Sequence, residues 1–143
     1  MGQYTVTLYP TEDTYTSNEN PANNYSTSKT LKWGSSSGTY PNFMYFKFDF
    51  SSIPSDAIID GVTMYVYCTA KSGSSTSQQS WAVSSMTTSW SATSITWNNQ
   101  PVRGETLSQA ISSGFPTYPG WEDMGFSKGI LPREWNNIKN YGI

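Results

Sequence analysis

Two runs of alternating side chains set the strongest limit on what this chain can fold into. From Met44 to Phe50, the residues Met44, Phe46, Phe48 and Phe50 share one face of an extended strand, and Tyr45, Lys47 and Asp49 share the other. From Val62 to Thr69, Val62, Met64, Val66 and Cys68 alternate with Thr63, Tyr65, Tyr67 and Thr69. A period of two cannot lay one apolar stripe along a helix, so both runs read as strands with one face inward. Shorter alternations at Tyr4-Val6-Leu8, Leu31-Trp33, Trp81-Val83 and Ile95-Trp97 read the same way. Between them lie turn-rich stretches at Asn18–Asn24, Gly34–Pro41, Ser51–Gly61 and Lys71–Gln79. Ser72–Gln79 is so rich in serine that it reads as a mobile hairpin loop. The expected fold is all-β, a jelly-roll-like antiparallel β-sandwich forming one domain over residues 1–143. One stretch departs from it: Ser127–Lys139 suits a short helical turn around Leu131–Trp135, with Pro132 at a start position.

Composition removes several functions. Only 13% of the 143 residues are charged, the formal net charge is -2, and the eight basic residues are scattered. Nucleic-acid binding by counterion release needs a concentrated basic patch, and none is present. Neither a membrane-spanning apolar run nor a basic amphipathic stretch exists, so membrane insertion is not expected. Met1-Gly2 leads straight into the alternation of Gln3–Tyr9, without the apolar core of a secretory signal. Two origins fit this start: a module excised from a secreted protein, or a protein that leaves its cell without a signal, as virion proteins do at lysis. Cys68 is the only cysteine and reads as a small buried hydrophobe. With no histidine in the chain, a Ser-His-Asp arrangement is excluded, and so is a histidine-activated thiol.

The order of several segments resembles a known family. They are Asn24-Tyr25-Ser26-Thr27-Ser28 with Leu31-Lys32-Trp33-Gly34, then Tyr45-Phe46-Lys47-Phe48-Asp49-Phe50-Ser51-Ser52-Ile53-Pro54 with Ala57-Ile58-Ile59. Ser89-Trp90-Ser91, Ile95-Thr96-Trp97-Asn98-Asn99-Gln100-Pro101 and Asn140-Tyr141-Gly142-Ile143 follow. Together they resemble the DNRLRE-type domain, a jelly-roll sandwich grouped with carbohydrate-binding modules and found in secreted bacterial and archaeal proteins and in phage structural proteins. The chain departs from the pattern after Trp90-Ser91, where Ala92-Thr93 stand in place of an acidic residue. The resemblance also implies a final strand after Ile143. The sheet edge near Ile143 is therefore expected to be open and to pair with a neighbouring copy or another protein.

A glycan context raises the question of paired carboxylates. Eight acids (Glu12, Asp13, Glu19, Asp56, Asp60, Glu105, Glu122 and Asp123) fall in expected loops, Asp49 lies on the outer face of a strand, and no two share a strand face at i, i+2. No enzymatic activity is expected. Glu12-Asp13, Asn18–Asn24 and Asp60 could supply oxygen ligands to a structural calcium ion, although their spacing matches no dedicated loop. No other cofactor is implied.

Aromatics carry the functional signal, with six Trp and ten Tyr in so small a chain. Trp90 and Trp97 read as core. Tyr45, Tyr65 and Tyr67 lie on the faces opposite the apolar stripes, and Trp121 ends a stiff aromatic loop, Phe115–Trp121. These four form the candidate ligand platform, because outward rings beside hydroxyls suit the C–H faces of sugars. The partners expected are a polysaccharide or a cell-surface glycan, at an extracellular or virion surface. The alternative is a structural virion protein, a capsid decoration or fibre component, whose aromatics meet other proteins.

Overall fold

The computed structural model describes residues 2–34, 41–70, 79–112, 119–126 and 131–143. Among the described residues, six strands form three two-stranded antiparallel sheets. β1 (Pro10–Ser17) pairs with β2 (Asn42–Phe48), β3 (Thr63–Cys68) with β6 (Gly120–Gly125), and β4 (Gln79–Met86) with β5 (Arg103–Ser112). A 3-10 turn covers Trp97–Asn99, and a helix, α1 (Leu131–Tyr141), precedes the last two residues. The molecule is mostly β.

The helix corrects the all-β expectation. Leu131, Glu134 and Ile138 recur at helical spacing and are all buried, with half-buried Trp135 beside them. Pro132 falls in the first turn, where a missing N–H costs nothing, so one short turn extends to eleven residues. Three expected strands are also corrected. Residues 2–9 are in no strand, Leu31-Trp33 contributes only an isolated bridge through Gly34, and Ile95-Trp97 leads into the 3-10 turn. Conversely, Glu12 and Asp13 lie in β1, Glu105 in β5, and Glu122 and Asp123 in β6, all placed in loops by sequence. The expected loops at Gly34–Pro41, Ser72–Gln79 and Phe115–Trp121 lie largely outside the described residues.

β2 is the centre of the fold because both its faces are covered. Phe46 packs with Leu107, Phe126, Leu131, Ile138 and Ile143, and Met44, Phe48 and Phe50 close against that cluster. On the opposite face Tyr45 packs with Met86, Trp90 and Ile95, and Phe43 stacks on Trp97 at 5.1 Å between ring centroids. Lys47 shares this second face. Its ammonium group meets Glu12 at 3.1 Å, donates to the Trp90 carbonyl and lies 4.6 Å from the Trp90 ring centroid. The Trp90 indole N–H donates to the Tyr141 carbonyl at 2.6 Å, tying this cluster to the end of α1.

The turn segments are fastened by side-chain amides. Asn24 Nδ2 donates to the carbonyls of Ala92 (2.8 Å) and Ile95 (2.7 Å), while its Oδ1 accepts from Ser26. Asn99 Oδ1 accepts the Thr96 N–H at 2.6 Å and shapes the 3-10 turn.

The end of the chain is bound internally, which corrects the expectation of an open edge at Ile143 itself. Ile143 is buried and exchanges both backbone bonds with Phe46, at 2.7 and 2.9 Å. The Gly142 carbonyl accepts the Met86 N–H at 3.0 Å. Gly142 has φ +80°, and a Cβ there would run into the Phe46 carbonyl, so this position requires glycine.

Candidate functional site

The β3–β6 sheet has the half-buried character that alternation predicts. Its register sets Thr63 opposite Gly125, Tyr65 opposite Asp123 and Tyr67 opposite Trp121. Met64, Val66 and Met124 turn to the interior, where Met124 is buried. The outer face carries Tyr65 (63% exposed), Tyr67 (50%) and Trp121 (65%). Tyr67 and Trp121 lie edge to face, with centroids 5.2 Å apart and planes at 67°. Three of the four residues chosen from sequence are therefore gathered on one exposed face.

Tyr45 is not among them, and this is a correction. Its ring is 2% exposed in the second core cluster, and its hydroxyl donates to Gln100 Oε1 at 2.7 Å. Burial pushes its pKa up. The reason lies in long-range packing. The segment from Thr87 to Pro101, carrying Trp90 and Ile95, covers the face of β2 that alternation alone assigns to solvent.

Sequence reading missed Asp123 and Thr63. Both sit on the exposed face beside the rings and offer a carboxylate and a hydroxyl. In Trp121-Glu122-Asp123-Met124 two adjacent acids hide the alternation, since one of them, Glu122, faces inward half-buried. A rule that treats all acids as exposed cannot find that strand. Trp33 is half-buried, while Tyr40 and Tyr118 fall outside the described residues.

Several acids elsewhere are engaged in structure. Glu12 Oε2 accepts the Ala92 N–H at 2.8 Å, and this bond together with Lys47 holds its pKa below the ordinary value. Glu134 is buried, accepts from the Ser85 hydroxyl and from Asn137 Nδ2, and is likewise held low by those bonds, Ser85 first. Gly104 makes room for this pair, since a Cβ there would strike Ser85 Oγ. A general acid at neutral pH needs a raised pKa, so neither carboxyl is poised to donate a proton. Of the expected calcium ligands, Glu12 is taken by Lys47 and Ala92, and Asp60 accepts from Gln3 at 3.5 Å. Among the described residues no three His, Cys, Asp or Glu side chains gather into a metal site.

An exposed strip of rings on a β-rich scaffold is the kind of surface that non-catalytic sugar-binding modules present. The model of carbohydrate-binding module family 96 matches residues 4–121, and the chain belongs to that family. The match includes Tyr65, Tyr67 and Trp121 and leaves α1 beyond it. No curated protein matches the chain.

Proposed function

We propose that this chain is a non-catalytic module that binds a polysaccharide or a cell-surface glycan through the outer face of β3–β6. Tyr67, Trp121 and Tyr65 stack on sugar rings, while Asp123 and Thr63 take up hydroxyl hydrogen bonds. The observation that carries this reading is the clustering of three large exposed aromatics on one regular sheet face. Family membership supports the ligand class. Its setting is an extracellular or virion surface, where such glycans are met.

A glycan array followed by calorimetry tests it. The expected result is a reproducible polysaccharide hit of micromolar to millimolar strength, because an open face buries little of its ligand. Trp121→Ala should weaken that hit about tenfold or more, equivalent to roughly 1.4 kcal/mol. A clean array would instead favour a structural role on a virion or other extracellular assembly, since exposed Tyr and Trp also suit protein contacts.

A further inference from the structure

Asp123 holds the middle position of β6 on the exposed face of the β3–β6 sheet. Trp121 and Gly125 flank it along the strand, each about 6.8 Å away, the two-residue repeat of an extended chain. Tyr65 lies directly across from it, with the two Cβ atoms about 5 Å apart, and Tyr67 and Thr63 are its diagonal neighbours. Three exposed rings therefore border its carboxylate. The Gly125 side is open. That residue has no side chain, and among the described residues beyond its chain neighbours no heavy atom stands within 4 Å of where a Cβ would be.

Charge sets this carboxylate apart. Glu12 and Glu105 are matched by Lys47 and Arg133, and Glu134 by Ser85 and Asn137. Among the described residues nothing forms an ion pair or hydrogen bond with the Asp123 side chain. Neither β3 nor β6 contains a lysine or arginine, and the preceding residue, Glu122, is a second acid. Water alone satisfies an exposed carboxylate, but one set among ring faces discriminates between ligands. A sugar carrying only hydroxyls meets it as a hydrogen-bond acceptor. A uronate brings a second carboxylate against it, and like charges repel. A protonated amino sugar brings an ammonium group, attracted both by the carboxylate and by the negative faces of the rings. The open side at Gly125 leaves space for that group while the sugar ring stays stacked on Trp121.

We propose that this face selects glycan chains bearing free amino groups, of the glucosamine type, and that Asp123 is the residue that selects them. The inference rests on the glycan-binding reading above and sharpens its ligand class. Trp121 and Tyr67 hold the sugar ring, the Asp123 carboxylate accepts from the ammonium group, and Tyr65 adds a cation–π contact to the same charge.

Calorimetry with chitosan oligomers, fully N-acetylated chitin oligomers and oligogalacturonate of equal length tests this on the full chain, at a mildly acidic pH where the sugar amines are charged. The chitosan oligomers should bind roughly five- to tenfold tighter than the acetylated ones, with oligogalacturonate weakest. Added salt should shrink that advantage, since the contact is exposed. Asp123→Asn should remove the advantage and leave binding of the acetylated oligomers unchanged. Equal affinity for the two, tightest binding of oligogalacturonate, or a preference that survives Asp123→Asn overturns the proposal. So does oligolysine that displaces the chitosan oligomer as well as free chitosan does, because the face would then read charge without sugar. Trp121→Ala separates this failure from that of the underlying reading. If it weakens an uncharged glycan while chitosan has no advantage, only the amine selectivity falls; if it changes no glycan's affinity, the platform falls and the selectivity with it.

Discussion

β2 and β3 read almost identically as sequences and end in opposite circumstances. Each alternates large apolar residues with a mixed set containing tyrosine. β3 keeps its tyrosines in solvent, whereas β2 has its second face covered by the segment that carries Trp90 and Ile95. Alternation therefore reports which residues share a face and is silent on how many faces are covered. Tyr45 and Tyr65 differ in what folds over them, and that information lies some fifty residues downstream of β2.

The largest effect expected from this contrast is in stability. Tyr45→Ala should cost about 3–5 kcal/mol, the usual penalty for a truncated core aromatic, and should also strand the Gln100 amide. Denaturant unfolding measures it, and a loss below about 1 kcal/mol would show that the second face of β2 is open. Gly142→Ala comes next. Positive φ costs about 1–3 kcal/mol, and the new Cβ pushes against the Phe46 carbonyl, so a clear fall in the melting temperature is expected.

Acid should separate the two regions at intermediate magnitude. Glu12 and Glu134 both have depressed folded pKa values, so their stabilisation is complete above the ordinary glutamate value. It is lost as pH falls below the ordinary glutamate value and through the lower folded values. Glu134→Gln should flatten part of that acid dependence in a melting-temperature series. The smallest effect belongs to the exposed face: Tyr65→Ala should change stability by no more than about 0.5 kcal/mol. A cost matching that of Tyr45→Ala would erase the distinction between the strands.

Part of the scaffold was readable in the sequence because in a strand period two fixes which residues share a face. β2, β3 and the core of β4 follow from it, as does the outward placement of Tyr65 and Tyr67. The missed strands have nameable causes. β1 begins with Pro-Thr-Glu-Asp and β6 holds adjacent acids, so both look like loops until Lys47 pairs with Glu12 and Trp121 comes opposite Tyr67. In the other direction, Tyr4-Val6-Leu8 has the pattern of a strand but pairs with no strand among the described residues. Propensity proposes an edge, and only pairing makes a sheet.

The bond between Phe46 and Ile143 also has a consequence in time. Chain synthesis proceeds at about 5–20 residues per second, so roughly 5–20 s separate the two partners' emergence from a ribosome. β1 is already available to pair through that interval, but the covers for both broad faces of β2 arrive later. Trp90 and Ile95 reach one face first, and Leu131, Ile138 and Ile143 reach the other last. Until they arrive, β2 is a nascent hairpin strand with first both and then one of its aromatic sides bare, the form in which a chaperone, or another unfinished chain, would meet it.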